Sequence, residues 1–156
     1  MSHTATRNER TETSRTDTHR HEVQQFLDRF AKALTAGDVA AVVSLWQVPA
    51  YVLSDTDIHP VGSRAEIEQF FAGAKDRYNA QGVVSTRAEI SQLRWPTERI
   101  AIAEVRWPYL DAQGREVGEE NSTYTLRRND EDELRLCVTL MHGTAEQPKH
   151  IGKPRH

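Results

Sequence analysis

The order of patterned segments predicts an α+β fold, with helices first and an antiparallel sheet after them. Apolar residues recur every three or four positions across 23–34 and 67–78, which is the period of an amphipathic helix. From Val83 onward the pattern changes to strand-like segments, four of them, separated by short polar turns. Sequential strands joined by short loops form an antiparallel meander, and this order excludes alternating βαβ folds.

Two helices are predicted before the first strand. The apolar face of the first consists of Val23, Phe26, Leu27, Phe30 and Leu34. Gly37 favours the end of that helix, and Asp38 is a suitable N-cap for a second helix over 39–46. Pro49 ends this second helix, and residues 50–61 are predicted to form two short strands around a turn.

The third helix has the clearest start signal. Ser63 and Glu66 have the S-x-x-E spacing of a capping box, in which each side chain satisfies the other's backbone N–H. The apolar positions of this helix are Ile67, Phe70, Phe71, Ala74 and Tyr78. Asn79 and Gly82 mark its end.

The folded domain is predicted to span residues 21–145. Residues 1–20 contain only two apolar side chains, Met1 and Ala5. They cannot bury enough surface to offset the entropy of ordering, so we expect a disordered tail. Residues 146–156 are expected to form a second, loose tail.

Composition narrows the classes of partner and compartment. The chain has 156 residues and a formal net charge of −3, so electrostatics give no reason to expect nucleic acid or an anionic membrane as partner. The single cysteine, Cys137, cannot form an internal disulfide, and no apolar run approaches the ~18 residues of a membrane span. We therefore expect a cytoplasmic protein.

Several short motifs follow one another in an order that is typical of one superfamily. They are Ala36-Gly37-Asp38, Leu45-Trp46, Gly62-x-x-x-Glu66-Ile67-x-x-Phe70, Trp107, Asp111-x-x-Gly114 and Ser122-x-Tyr124-x-Leu126-Arg127. Over roughly residues 20–145 the chain resembles the nuclear-transport-factor-2-like superfamily, specifically its SnoaL-like and ketosteroid-isomerase-like branch. The resemblance implies a cone-shaped α+β barrel, with a pocket beneath the helices, usually in a homodimer. Members include isomerases, cyclases, epoxide hydrolases and proteins of no known activity, so no single reaction is implied.

Strand alternation predicts which side chains face the pocket. A four-residue turn, 111–114, pairs Val105 with Glu120. One face of this hairpin is then the more apolar and aromatic, and we expect it to face the helices. Its members are Ala101, Ala103, Val105, Trp107, Tyr109, Glu120, Ser122, Tyr124 and Leu126. The other face, with a cross-strand Arg106–Glu119 pair, would contact solvent or a second subunit, although the pattern alone leaves the inverse assignment open.

The last strand supplies the first candidate for chemistry. A five-residue turn, 129–133, is needed to point the apolar residues of this strand inward. They are Leu134, Leu136, Val138 and Leu140. This register also places His142 opposite Glu120, and a carboxylate there would fix the imidazole tautomer for general acid or base catalysis. The alternatives are a His142 that is only hydrogen-bonded or exposed at the rim, and a solvated Glu120.

A second candidate is Asp57, in the Asp55-x-Asp57-x-His59 hairpin before the third helix. In ketosteroid-isomerase-like relatives the carboxylate base comes from about this region, so the resemblance suggests a catalytic Asp57. The alternative is structural, because Asp supports tight turns. Two Asp and one His at this spacing lack further ligands, so we expect no metal site.

Large side chains with a polar group are candidates for the pocket wall, since they line apolar ligand sites as well as cores. The expected wall residues are Trp46, Tyr51, Phe70, Trp107, Ser122 and Tyr124. Cys137 alternates away from the inner leucines and has no evident activating partner, so we expect it to be inert.

The leading functional hypothesis is a small-molecule pocket protein of the SnoaL-like kind, which binds a hydrophobic ligand with polar substituents. The sequence has no phosphate loop, dinucleotide fingerprint or nucleophile elbow, so we expect no cofactor. Any reaction would then be acid/base chemistry such as isomerisation, cyclisation or hydration. The alternative is a non-catalytic dimeric module that binds a ligand or a partner, and a pocket filled by aromatic rings would favour it.

Overall fold

The computed structural model describes the backbone of residues 2–142 and the side chains of residues 17–142. Its helices are α1 (Ser2–Ala36), α2 (Val39–Ser44), α3 (Arg64–Phe71) and α4 (Ala74–Ala80). Its strands are β1 (Trp46–Leu53), β2 (Ile58–Val61), β3 (Ser85–Thr86), β4 (Glu89–Arg94), β5 (Ile100–Leu110), β6 (Glu116–Arg128) and β7 (Leu134–Met141). The predicted fold class, helices packed against a curved sheet, is confirmed. The expected tail at 146–156 lies outside the described residues.

The seven strands form one open, mixed sheet. The strand order is β2-β1-β7-β6-β5-β3, and β4 also pairs with β5. The β1–β7 pair is parallel, whereas the sequence predicted an antiparallel sheet and the resemblance implied a cone-shaped barrel. A hairpin forces antiparallel pairing, but β1 and β7 are separated by two helices and the meander, so no turn dictates their relative direction.

Helix α1 lies along the inner face of the sheet, as its apolar stripe predicts. Val23, Phe26 and Leu27 are completely buried, and each such side chain contributes roughly 1.5–3 kcal/mol of burial free energy. Glu22 accepts two hydrogen bonds from the guanidinium of Arg128 on β6, at 2.6 and 2.7 Å, and fixes the helix to the sheet.

Among the described residues, no helix is both long and apolar enough to span a bilayer.

The structure continues α1 back to Ser2, where the sequence predicted a disordered tail over residues 1–20. Adding a residue to an existing helix is much easier than nucleating one, so the packed segment from Glu22 onward can support further turns. The ring of His19 lies 4.6 Å from that of Trp95. Arg20 donates a hydrogen bond to the carbonyl of Ile90 at 3.3 Å.

The predicted third helix is divided into α3 and α4 by Gly73. Ser63 Oγ accepts from the N–H of Glu66 at 3.2 Å, as the capping box requires. The Glu66 carboxylate accepts from the N–H of Gly62 rather than from that of Ser63. Ala72 is extended (φ −60°, ψ 128°) and ends α3 at Phe71, and Gly73 has φ +76°, a left-handed conformation that directly precedes α4.

The inner face of the β5–β6 hairpin is the predicted one, but the register differs by two residues. Val105 lies opposite Ser122, and Glu120 lies opposite Trp107. Gly114 (φ +77°) allows a tighter turn than expected, and Val117 is bulged out of the ladder. Each irregularity shifts the pairing by one residue, so together they preserve which residues face inward.

The β6–β7 turn is also the predicted one, but the following strand changes face. Leu126 lies opposite Leu136, whereas Thr125 lies opposite Val138, so Cys137 is an extra residue in β7. This bulge reverses the alternation, and the inner residues after it are Thr139 and Met141 instead of Val138 and Leu140.

Candidate functional site

A small cavity lies between the helices and the inner face of the sheet. Its volume is about 50 Å³, enough for roughly three or four water molecules. It is lined by Phe30, Leu34, Trp46, Val52, Phe70, Phe71, Tyr78, Thr86, Trp107, Tyr109, Glu120, Ser122, Tyr124, Thr139 and Met141. The cavity is narrow because aromatic rings from both the helices and the sheet project into it.

Phe71 is at the centre of the aromatic part of the lining. Its ring centroid lies 6.0 Å from Phe30, 5.8 Å from Trp46 and 5.4 Å from Phe70. These are the tilted and edge-on arrangements that aromatic pairs prefer. The helical side of the cavity is therefore apolar.

Glu120 provides a carboxylate on the sheet side of the cavity. Tyr109 Oη donates a hydrogen bond to Glu120 Oε1 at 2.8 Å. A second pair lies beside it, in which Trp107 Nε1 donates to Tyr124 Oη at 2.8 Å. Since the Tyr124 oxygen accepts this bond, its own O–H proton is available as a donor.

The tyrosines around Glu120 stay protonated over the whole physiological range. Burial is the main cause that raises the pKa of the Tyr78, Tyr109 and Tyr124 phenols, and the nearby Glu120 carboxylate raises all three further. The hydrogen bond from Trp107 and the nearby Ser122 side chain partly oppose the rise in the Tyr124 pKa. These phenols can therefore donate hydrogen bonds to a ligand but cannot act as bases near neutral pH.

Three polar atoms in the lining have no hydrogen-bond partner within residues 17–142: Trp46 Nε1, Ser122 Oγ and Thr139 Oγ1. Their side chains are deeply buried, with residue exposures of 5, 2 and 8 %. Ser122 lies close enough to Tyr124 to affect the pKa of its phenol, but the contact lacks the geometry of a full hydrogen bond. Leaving such an atom unpaired costs roughly 1–3 kcal/mol, so the cluster of three is costly for the fold as described.

The structure brings most of the predicted wall residues together. Trp46, Phe70, Trp107, Ser122, Tyr124 and the candidate acid/base residue Glu120 all line the cavity. The prediction for Tyr51 is wrong: this side chain is 47 % exposed on the outer face, opposite Val138. The cause is a register irregularity in β1 between Trp46 and Tyr51, after which Ala50 and Val52 face inward.

The predicted pairing of His142 with Glu120 is wrong. His142 is exposed, and its Nε2 lies 2.7 Å from Thr123 Oγ1 on the outer face of the sheet. The bulge at Cys137 is the reason, because it moves His142 opposite Asn121 instead of Glu120. Glu120 has Tyr109 as its hydrogen-bond donor, a residue that the sequence placed on the correct face but in the wrong register.

Asp57 is exposed and has a structural role in the β1–β2 turn. Its N–H donates to Ser54 Oγ at 3.1 Å, and its carbonyl accepts from the N–H of Ser54. His59 lies outside the cavity with its ring 6.1 Å from that of Phe70. In the part of the chain with described side chains, no three His, Cys, Asp or Glu residues form a metal-binding group.

Sequence reasoning missed Tyr109 as the partner of Glu120 and Thr139 as a wall residue. Tyr109 could have been found from the inner-face alternation, had both the tighter turn at Gly114 and the Val117 bulge been recognised. Thr139 gave no such signal, because a strand without the bulge at Cys137 would place it outside. Both errors come from local irregularities of the hairpin and strand backbone, which the hydrophobic pattern of the sequence does not reveal.

Solved structures share this fold at low sequence identity. An NTF2-like protein with a cystatin-like fold from Novosphingobium aromaticivorans aligns with a TM-score of 0.63 and 15 % identity, over 88 % of this chain and 89 % of that one. A single-residue variant of a protein of unknown function from Mycobacterium tuberculosis aligns with a TM-score of 0.61 and 12 % identity, over 85 % of this chain and 75 % of that one. An NTF2-like protein of unknown function from Shewanella oneidensis aligns with a TM-score of 0.60 and 13 % identity, over 79 % of this chain and 98 % of that one.

Family membership follows from the sequence itself. No curated protein matches the chain. A family model described as "NTF2-like protein (DUF6841)" matches residues 21–144, which include all the cavity-lining residues. The predicted resemblance to the nuclear-transport-factor-2-like superfamily is confirmed, and the chain belongs to the NTF2-like family DUF6841.

Proposed function

We propose that the protein binds a small, mostly apolar molecule in the cavity, with a hydrogen-bonding group of that molecule at the sheet side. The observation that carries this proposal is the convergence of Trp46 Nε1, Ser122 Oγ and Thr139 Oγ1, unpartnered among the described residues, on one cavity. Native proteins satisfy nearly all of their buried polar atoms, so such a cluster in one place indicates a site for added polar atoms. The aromatic side of the cavity supplies apolar contact for the rest of the molecule.

Glu120 is the residue we propose for acid/base chemistry in this site. Its carboxylate can accept a proton from a bound molecule, while the Tyr109 phenol fixes its orientation at 2.8 Å. The Tyr124 phenol can donate to an oxygen on which negative charge develops. This set of groups supports a cofactor-free proton transfer, as in an isomerisation, cyclisation or hydration.

A non-catalytic, homodimeric binding module is the second candidate. Two observations favour it: the cavity of about 50 Å³ is nearly filled by aromatic rings, and the outer sheet face carries apolar side chains. Tyr51 is 47 % exposed there, beside Val138 of β7. A second copy of the chain on this face would remove these side chains from water.

A binding screen with matched variants tests the proposal. A mixture of metabolites is incubated with the protein, and retained compounds are identified by mass spectrometry. We expect the wild type to retain a compound that Thr139→Val binds at least tenfold more weakly, since that variant loses a hydroxyl in the cavity. The control Thr125→Val, on the outer face, should bind like the wild type.

The same compound separates the two candidate functions. If the protein is an enzyme, Glu120→Gln should abolish turnover and keep binding, whereas Glu104→Gln on the outer face should keep both. Binding without turnover by the wild type would support the module. Retention of no compound, or equal binding by wild type and Thr139→Val, would refute the cavity as the binding site.

A further inference from the structure

The polar groups of the cavity differ between its outer end and its interior. Thr86 and Glu120 are half-buried and mark the outer end, whereas Ser122 and Tyr124 are 2 and 5 % exposed and lie inside. The strand register agrees with this order. Thr86 lies opposite Tyr109 near the end of the sheet, and Ser122 and Tyr124 follow Glu120 along β6.

The outer end of the cavity presents hydrogen-bond acceptors. Thr86 Oγ1 donates its proton to the carbonyl oxygen of Pro108 at 2.8 Å, and Tyr109 Oη donates its proton to Glu120 Oε1 at 2.8 Å. A hydroxyl oxygen whose proton is engaged in this way still has lone pairs, and a carboxylate accepts several hydrogen bonds at once. A bound molecule must therefore supply a donor at this end.

The interior presents a donor instead. Trp107 Nε1 donates to Tyr124 Oη at 2.8 Å, so the phenol proton of Tyr124 has to point to a different partner. Burial and the nearby Glu120 charge raise the pKa of this phenol, which keeps its proton. Ser122 Oγ, which has no partner within residues 17–142, can donate or accept. A bound molecule must therefore supply an acceptor in the interior.

Charge and size restrict the group that can satisfy both ends. Of the described residues that line the cavity, Glu120 alone carries a charge, so an anion would be repelled. A purely cationic donor would leave the Tyr124 proton without an acceptor. The volume of about 50 Å³ between aromatic rings admits only a flat group of a few heavy atoms.

An amide meets these requirements better than other small polar groups. Its carbonyl oxygen and its N–H are carried by one carbon and point in different directions, so they can reach opposite ends of the cavity. An alcohol has donor and acceptor on the same atom and reaches only one end. A carboxylic acid ionises well below neutral pH and becomes an anion.

We propose that the polar head of the ligand is a neutral carboxamide, whose carbonyl oxygen accepts from the Tyr124 phenol and whose N–H donates to the Glu120 carboxylate. The inference rests on the proposed function and adds the chemical class of the head. A short apolar substituent on the amide contacts the aromatic side of the cavity, at Phe70 and Phe71.

Four probes with the same heavy-atom framework test the proposal: acetamide, acetone, acetate and acetamidinium. Binding at neutral pH is followed by the NMR signal of the Trp107 indole N–H, assigned with Trp107→Phe, because a hydrogen bond from Tyr124 to a ligand strengthens the bond that Tyr124 accepts from Trp107. The Trp95 indole, outside the cavity lining, is the reference signal. We expect acetamide to bind at least about tenfold more tightly than each of the others, since each of them leaves a buried partner unpaired or carries a charge.

Glu120→Leu removes the acceptor at the outer end, so acetamide should then bind no more tightly than acetone. Glu104→Leu, on the outer face of the sheet, is the matched control and should keep the wild-type order. If Glu120→Leu does not fold, the wild-type series decides by itself.

The outcomes separate this inference from the proposed function. Acetone, acetate or acetamidinium binding to the wild type as tightly as acetamide would overturn the amide head and leave the cavity as a binding site. A preference for acetamide that survives Glu120→Leu would overturn the contact with Glu120. Failure of all four probes to move the Trp107 signal would overturn both the amide head and the cavity as a site for such molecules.

Discussion

Thr139 and Glu120 show how single side chains define the site. Both face the cavity, but Glu120 accepts a hydrogen bond from Tyr109, whereas the Thr139 hydroxyl has no partner among the residues described. The first arrangement stabilises the fold and orients a reactive group. The second costs stability, and such a cost is commonly found where a protein binds another molecule.

Thr139→Val should stabilise the protein in the absence of ligand. Valine has nearly the shape of threonine and removes a buried hydroxyl without a partner, so we expect the free energy of unfolding to rise by about 1 kcal/mol. Urea unfolding measures the change. Thr125→Val on the half-buried outer face is the control, and a loss of stability in Thr139→Val would show that its hydroxyl is satisfied after all.

Tyr109→Phe should have the opposite effect. The variant removes the donor to Glu120 Oε1 while keeping the ring, and we expect a loss of about 1–2 kcal/mol of unfolding free energy. Tyr51→Phe, on the exposed outer face, should change it by less than about 0.5 kcal/mol. Equal effects in the two variants would argue against the Tyr109–Glu120 bond.

The phenols also determine the alkaline stability. In the unfolded chain they titrate near a pKa of 10.0, and burial, with the Glu120 charge, raises the pKa of Tyr78, Tyr109 and Tyr124 in the folded state. The folded state therefore keeps protons that the unfolded state loses, and the stability present below pH 10.0 falls as the pH rises above it. Ultraviolet absorbance should show tyrosinate from these residues only together with unfolding. Ionisation of all four tyrosines in the native state would contradict this.

At the scale of elements, alternation predicted the inner faces of β5 and β6 but failed for the end of β7. Helix periodicity placed Phe26, Leu27 and Phe30 correctly, because a helical stripe tolerates small errors in its ends. A strand has a period of two, so the one extra residue at Cys137 reverses every side chain after it. No composition signal accompanies that bulge, and Val138 and Leu140 look as suitable for the core as Thr139 and Met141.

Gly73 is the element-scale feature that can be tested by substitution. Its φ of +76° strains any residue with a Cβ, so Gly73→Ala should lower the free energy of unfolding by about 1–2 kcal/mol. Gly62→Ala is the matched control, because a Cβ there meets only Glu66 Oε1 at 3.9 Å and the backbone is unstrained. Thermal or urea unfolding of both variants measures the difference. Equal losses of unfolding free energy would contradict a conformational requirement for glycine at position 73, between α3 and α4.

For the whole molecule, the motif order predicted the family, and the pattern of helices and strands predicted the fold class. Tertiary pairing of β1 with β7 lay beyond local reasoning, since it depends on residues 46–53 meeting residues 134–141 across most of the chain. The same limit applies to the site. Six predicted residues line the cavity. Tyr51 and His142 were assigned to the site through a local register that the sheet does not keep, and Asp57 through the family resemblance.

The outer face of the sheet gives a prediction for the assembled protein. Tyr51, Val138 and Leu140 are exposed or half-buried there, so we expect a homodimer with about twice the 17.8 kDa chain mass in light scattering. Val138→Glu should convert it to a monomer by placing a charge in the contact. A monomeric wild type would contradict the dimer, without affecting the cavity.

A crystal structure of the protein after soaking with a mixture of metabolites tests the central claim, a ligand site on the inner face of the sheet, most directly. The account predicts a bound molecule in the cavity, with a polar atom within hydrogen-bond distance of at least one of Trp46 Nε1, Ser122 Oγ and Thr139 Oγ1. Ordered water alone at all three atoms, with compounds bound elsewhere or not at all, would contradict it.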